Sequence, residues 1–193
     1  MTLTIHWATE LPTLSANAIG QLFYNSFSDM FLASGFTANE AQISALGLGA
    51  YLLKYYRRDL LVAQMDGHLA GVVLLKQPRS PKTTRLPRAA LTLSRRLRWY
   101  AFILLLDSTP NTDETYIDFL AVAPNYRQQG IASQLLNFCQ RHFNCLNLSV
   151  VTTNQNAYQL YKKFNFNPVN TKKSWLAQRY LGFQQWTEMH WQQ

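Results

Sequence analysis

The stretch from Tyr116 to Ser133 constrains this chain more than any other, because it dictates a strand, a tight turn and a helix in immediate succession. The run Tyr116-Ile117-Asp118-Phe119-Leu120-Ala121-Val122 is rich in β-branched and aromatic residues, as a strand requires, and Pro124 and Asn125 end it. The spacing of Ile131, Leu135 and Cys139, closing at His142/Phe143, then marks the inner face of a helix. Between the two lies Arg127-Gln128-Gln129-Gly130-Ile131-Ala132-Ser133. A turn that opens directly into a helix leaves the first backbone N–H groups without intrahelical partners and places the positive end of the helix dipole beside them. That combination seats a phosphate or pyrophosphate. Gly130 allows backbone angles closed to other residues, Ala132 keeps bulk out of the seat, and Arg127 brings a permanent cation to its rim.

Two better-known phosphate-binding devices are absent. The chain has no G-x-G-x-x-G followed by an acid about 20 residues on, which a dinucleotide site needs. It also has no Gly-Lys-Ser/Thr, so nucleoside triphosphate hydrolysis has no support. A Gly-x-Ser-x-Gly elbow is missing as well, and nothing favours a hydrolase. His6, His68, His142 and His190 are scattered without ligand spacing, so no metal site is expected. Cys139 falls on an apolar helix stripe and Cys145 opens a buried strand, which makes packing the expected role of both and implies a reducing compartment.

A second segment repeats the strand-to-helix pattern. Cys145 to Thr153 reads as a buried strand, and Asn154 to Phe166 as a helix with Ala157, Leu160, Tyr161 and Phe164 on one stripe. Asn154 stands at the N-cap. Asn165 stands where a left-handed C-terminal cap is expected.

With Arg127-x-x-Gly130-x-Ala132 followed by Asn154-x-x-Ala157-x-x-Leu160-Tyr161-x-x-x-Asn165-Phe166, the chain resembles the GCN5-related N-acetyltransferase (GNAT) superfamily. The turn is similar to that family's Arg/Gln-x-x-Gly-x-Gly/Ala loop for the acetyl-CoA pyrophosphate. The second segment is similar to its Asn-x-x-Ala-x-x-x-Tyr helix, usually closed by Gly-Phe, where this chain has Asn165-Phe166. The motifs cover Tyr116 to Val169, and elsewhere the likeness is one of element order. It implies an α/β fold with a central mixed sheet flanked by helices, a single domain over residues 1–193 with a basic insert at about 76–106, and an acyltransferase using acetyl-CoA without a metal.

The resemblance also implies the site. Leu120, Ala121 and Val122 would line the pantetheine arm through the strand backbone, with the Leu120 N–H polarising the thioester carbonyl. Arg127, Gln128, Gln129, Gly130, Ile131, Ala132 and Ser133 would hold the pyrophosphate, while Asn154, Ala157 and Tyr158 would flank the arm. Tyr161 would stand near the sulfur as general acid, a role for which a phenol suits because it can donate to a departing thiolate. Strand alternation puts Asp118 on the face of Leu120 and Val122, where it is either the base, directly or through water, or a hydrogen-bonded strand aspartate orienting a loop.

The first part of the chain fits the same order. Thr4 to Thr9 reads as a strand, Leu14 to Phe31 and Asn39 to Tyr51 as helices, the second begun near Thr37 or Asn39. Leu60 to Gln64 and Leu69 to Lys76 flank Asp66-Gly67, a strong hairpin signal. Between Lys76 and Arg98 come Lys76, Arg79, Lys82, Arg85, Arg88, Arg95, Arg96 and Arg98, and no acid occurs from Gly67 to Leu106. With Pro78, Pro81 and Pro87 the first part of this insert reads as loop, and Ala89 to Leu106 as helix. A solvated basic face is the simplest reading. A rim that attracts coenzyme A phosphates, or a non-catalytic module that binds nucleic acid or protein, are the alternatives, and a net charge of +8 is compatible with all three. No zinc-finger spacing, RNP-like motif or basic heptad helix supports a nucleic-acid partner.

The N-terminus has neither the basic nor the apolar region of a secretory signal, and Trp99 to Leu106 is far short of a span of about 20 residues. A cytoplasmic protein without membrane insertion is expected, with room for a homodimer. The resemblance implies that the acceptor is an amine of a small molecule or a protein N-terminus or lysine. In the resembled family its pocket is built by the first helix pair and the last strands, which here carry Phe23, Tyr24, Phe27, Phe31, Trp175, Tyr180, Phe183, Trp186 and Trp191. These would suit an apolar, aromatic or cationic acceptor. With 10 acids in 193 residues, a polycationic acceptor is disfavoured.

Overall fold

The computed structural model describes residues 2–81, 91–106 and 114–193. The chain runs β1 (Leu3–Trp7), α1 (Ala16–Ala33), α2 (Ala38–Tyr55), β2 (Leu60–Met65), β3 (His68–Lys76), α3 (Leu93–Leu106) and β4 (Thr115–Val122). It continues with α4 (Ile131–His142), β5 (Cys145–Val151), α5 (Gln155–Lys163), β6 (Asn167–Lys173), α6 (Trp175–Leu181) and β7 (Gln185–Gln192). All seven strands form one mixed sheet in the order β1-β2-β3-β4-β5-β7-β6. Every pairing is antiparallel except β4 with β5, which is parallel. The expected α/β fold with a mixed central sheet is the fold observed.

Local chemistry sets several boundaries. Asp66 and Gly67 both take positive φ, 49° and 80°, and make the two-residue turn whose twist matches the flanking strands β2 and β3. Thr37 caps α2 with a capping box: its hydroxyl accepts from the Glu40 N–H, and the Glu40 carboxylate accepts from the Thr37 N–H at 2.9 Å. Helices α1 and α2 pack closely because glycines face each other. A Cβ on Gly49 would lie 2.3 Å from the Ala16 carbonyl oxygen and 2.6 Å from the Gly20 nitrogen.

Side chains on the two faces of the sheet build two cores. On one face, α1, α2, α3 and α6 cover Leu60, Val62, Val72, Leu74 and Ala121. On the other, α4 and α5 cover Leu61, Ala63, Val73, Leu75, Ile117, Leu146, Leu148 and Val150. The insert helix α3 docks on the first face. Trp99 is fully buried and stacks on Phe31 at a centroid distance of 5.8 Å. Arg98 donates to the Ser34 carbonyl and Arg95 to that of Gly35, both at 2.6 Å, and so satisfy carbonyls just past the end of α1.

Two expectations need correction here. Trp175 and Tyr180 do not belong to a strand, because Ser174 accepts from the Ala177 N–H and starts a short helix that Gly182, at φ 78°, stops. Lys76 is not part of a basic surface. It is the last residue of β3, alternates in phase with the core residues Val72 and Leu74, and is buried.

Candidate functional site

The parallel pair of β4 and β5 stops after three residue pairs, Thr115 with Leu146, Tyr116 with Asn147 and Ile117 with Leu148. Beyond that point β4 keeps its pairing with β3 and β5 keeps its pairing with β7. The two strands therefore part within the sheet from Asp118 onward and leave a cleft beside Asp118 to Val122. Tyr116 Oη donates to Ser149 Oγ at 2.6 Å and straps the strands together where the opening begins.

The register shows what parts them. Leu75 faces Ile117 and Leu74 faces Phe119, so Asp118 is an extra residue with no opposite number on β3. Such a bulge bends its strand and shifts the alternation of side chains. Ile117 packs on the α4/α5 face, yet so do Leu120 and Val122, while Phe119 and Ala121 face α1. The expectation that Asp118 shares a face with Leu120 and Val122 is thereby overturned. Its Oδ2 lies 3.1 Å from Lys76 Nζ, and that ammonium stands 5.8 Å from the centre of the Tyr56 ring on the α1/α2 face. Sequence reasoning missed Lys76 as Asp118's partner. The signal was a lone lysine in the inward phase of an apolar strand.

Because β4 and β5 run parallel, the loops leaving their C-terminal ends meet at one end of the sheet, where open α/β sheets bind ligands. The first loop holds Arg127 to Gly130. Gln128 (φ 60°) and Gly130 (φ 78°) are both left-handed, and Gln129 Nε2 donates to the Asn125 carbonyl at 3.0 Å. Gly130 is the N-cap of α4, and no side chain caps that helix. A Cβ on Gly130 would meet no atom within 4 Å beyond its chain neighbours, so the space beside this N-cap is open. The first turn of α4 carries no acid. A helix N-terminus of this kind can receive an anion. Arg127, expected at its rim, reaches another way: Nε donates to the Val122 carbonyl at 3.3 Å and Nη2 to that of Asn25 at 3.1 Å. It thus ties the end of β4 to α1 just before Phe27, whose non-helical angles break that helix.

The second loop presents Asn154, whose Oδ1 accepts from the Ala157 N–H at 3.1 Å as the expected N-cap of α5. Ala157 and Tyr158 are half-buried against the α4 side. Tyr161 is buried, and its position is fixed by the end of its helix. Asn165 takes φ 61°, the Phe166 N–H donates to the Tyr161 carbonyl and the Asn165 N–H to that of Lys162, each at 3.0 Å. This is the left-handed cap anticipated from the sequence, with the apolar contact that accompanies it: the Tyr161 and Phe166 rings meet edge to face at 5.7 Å. Burial, with smaller effects from Cys139 and Tyr116, pushes the Tyr161 phenol up to about 12. Asp118 and Tyr161 lie on opposite faces of the sheet, on either side of the cleft.

The aromatic residues divide the same way. Phe27 and Phe119 pack edge to face at 6.3 Å, as do Phe183 and Trp186 at 6.0 Å, all half-buried on the α1 side. Phe23 and Phe31 are core, Tyr24 packs against that same core, Trp175 is 72% exposed, and Trp191 lies on the α4/α5 face, so these do not form one wall. Of the basic insert, Lys76, Arg95 and Arg98 are bound to Asp118, Glu40 and Ser34; Lys82, Arg85 and Arg88 lie outside the described residues. Among the described residues no helix is long and apolar enough to cross a membrane.

A family model described as the acetyltransferase (GNAT) family matches residues 20–166. No curated protein matches the chain. Among solved structures, an N-acetyltransferase from Staphylococcus aureus Mu50 superposes with a TM-score of 0.65 at 17% identity, over 97% of this chain and 100% of that one. The PaiA N-acetyltransferase from Thermoplasma acidophilum, solved with coenzyme A, gives 0.60 at 15% identity over 100% of both chains. The ribosomal-protein-S18-alanine N-acetyltransferase from Escherichia coli gives 0.56 at 16% identity, over 99% of this chain and 94% of that one.

Proposed function

Because the chain belongs to the acetyltransferase (GNAT) family, we propose that it binds acetyl-CoA in the cleft between β4 and β5 and transfers the acetyl group directly to an amine. The observation that carries this reading is the parting of β4 and β5 beside an uncapped, glycine-led helix N-terminus. An extended amide-bearing arm fits the first feature and a pyrophosphate the second. The PaiA enzyme of T. acidophilum, whose fold this chain shares, was solved with coenzyme A.

In this reading the pyrophosphate sits against the amides of Ile131, Ala132 and Ser133, within the loop of Arg127, Gln128, Gln129 and Gly130. Backbone groups of Leu120, Ala121 and Val122 pair the arm, and a Leu120 N–H polarises the thioester carbonyl. Asn154, Ala157 and Tyr158 flank the arm from the α5 side. As the tetrahedral intermediate collapses, a thiolate departs and needs a proton. Tyr161 supplies it, and its raised pKa keeps it protonated at neutral pH. The amine approaches from the α1 face, where Phe27, Phe119 and Trp186 offer apolar contacts. Asp118 faces that side, paired with Lys76, and takes the amine proton through water.

The test is calorimetric titration with acetyl-CoA and with CoA, for the wild type and Gly130→Glu. A carboxylate projected into the open space before α4 should abolish micromolar binding. Tight binding that survives the substitution would place the ligand elsewhere. The alternative of a basic nucleic-acid module has lost part of its footing, since Lys76, Arg95 and Arg98 serve the fold.

A further inference from the structure

A second cluster of chemistry-bearing side chains lies at the closed end of the β4–β5 pair, away from the cleft. Glu114 immediately precedes β4, Cys145 begins β5, and His190 lies in β7, opposite Asn147 of β5. Their ligand atoms all lie within 4.8 Å of one another, and all three residues are half-buried. The Cys145 sulfur is 3.8 Å from His190 Nδ1. The expectation of scattered histidines holds along the sequence but not in the fold, where His190 meets a thiol and a carboxylate from two other strands.

A tetrahedral zinc site with bonds of about 2.0–2.3 Å sets its donors about 3.3–3.8 Å apart. The sulfur–nitrogen distance already meets that value, and the remaining donors need close by an ångström at most. Thiolate, imidazole and carboxylate together suit a borderline-soft divalent ion over a hard one. Asn147 Oδ1, 2.7 Å from His190 Nδ1, accepts a hydrogen bond from that nitrogen, a bond that opens when Nδ1 turns its lone pair to a metal.

We propose that Glu114, Cys145 and His190 bind one Zn²⁺ as a clip joining β4, β5 and β7, with a fourth position left for water or the Asn147 amide oxygen. Binding releases one proton, from the Cys145 thiol to solvent. The imidazole ligates through Nδ1 in the tautomer that carries its hydrogen on Nε2, giving up its hydrogen bond to Asn147. Affinity therefore rises with pH while the thiol is protonated. The clip holds together the strands whose separation a few residues further on forms the cleft. Its role is structural, at the end of the β4–β5 pair opposite the cleft.

The experiment titrates chelator-treated, reduced protein with Co²⁺ and then Zn²⁺. One equivalent of Co²⁺ should produce a thiolate-to-cobalt charge-transfer band, which Zn²⁺ should displace, and Zn²⁺ should raise the melting temperature. Cys145→Ser should lose both the band and the thermal shift, while Cys139→Ser keeps both. His190→Ala should weaken Co²⁺ binding at least about tenfold, as expected for loss of a ligand. Acetyl-CoA or CoA titration of each variant reports that it is folded. No band in the wild type, or a band that survives Cys145→Ser, overturns the proposal.

Discussion

Lys76 Nζ and Asp118 Oδ2 lie 3.1 Å apart, with the side chains only 8% and 13% exposed, at the one place where β4 carries a residue that β3 does not match. The bulge supplies a carboxylate that strand alternation would have aimed elsewhere, and the lysine makes its burial tolerable. Removing one partner of such a pair leaves an uncompensated charge, which typically costs about 3–5 kcal/mol. Lys76→Met is therefore expected to lose that much in urea unfolding, and Lys76→Met/Asp118→Leu to recover most of it. If the single and double variants unfold at the same midpoint, the pair does not hold the bulge.

Tyr161 offers a separation of chemistry from binding. Tyr161→Phe keeps the ring against Phe166 and removes only the hydroxyl. Acetyl-CoA affinity should stay near that of the wild type while kcat falls by about 10²-fold, the scale of a lost proton donor. Unchanged thiol release on an amine substrate would remove Tyr161 from the mechanism.

Alkaline pH should destabilise the fold through the same residue and its neighbour. Burial pushes Cys139 from 9.0 up to about 12, and Tyr161 from 10.0 up to about 12. The folded state therefore holds these protons where the unfolded chain has released them, and unfolding stability falls as pH rises. Stability from Cys139 is complete below pH 9 and is lost as pH climbs toward 12; Tyr161 joins above pH 10. The slope approaches about 1.4 kcal/mol per pH unit for each group in its window. Melts of Cys139→Ala should show a shallower decline between pH 9 and 10, and an unaltered decline would contradict the assignment.

The cap at Asn165 has a measurable share in stability. A residue other than glycine or asparagine in left-handed geometry costs roughly 1–2 kcal/mol, so Asn165→Ala should lower the unfolding midpoint and Asn165→Gly should not. The converse holds where α1 and α2 touch. Gly49→Ala places a Cβ 2.3 Å from the Ala16 carbonyl oxygen and should cost about 1–3 kcal/mol through forced backbone separation.

Much of this molecule was readable in its sequence because the informative signals are local. Asp66-Gly67, Gly130 and Asn165 each fix a turn or helix end through their own backbone angles, and the start of α2 falls at Thr37, one of the two caps the sequence offered. What escaped depends on pairing between distant strands. Asp118 changes face because β3 gives it no opposite number, a relation invisible along β4 alone. Lys76 was read as surface because a lysine usually is. Trp175 and Tyr180 were assigned to strands, since nothing in periodicity separates a two-turn helix from its neighbours. The likeness of Cys145, His190 and Glu114 to a metal site required three strands to be laid side by side.

The early end of the β4–β5 ladder gives this sheet an edge in its interior. Sheet edges are usually a hazard, a row of unpaired amides and carbonyls inviting another chain to add itself. Here that row lies between two strands of the same sheet, and the ligand proposed for it is a slender arm that alternates methylenes with amides. In the reading proposed above such a ligand is taken up as a guest strand, paired on β4 by backbone alone, and the amides of Phe119 to Val122 that point away from β3 would exchange hydrogen more slowly with it than without it.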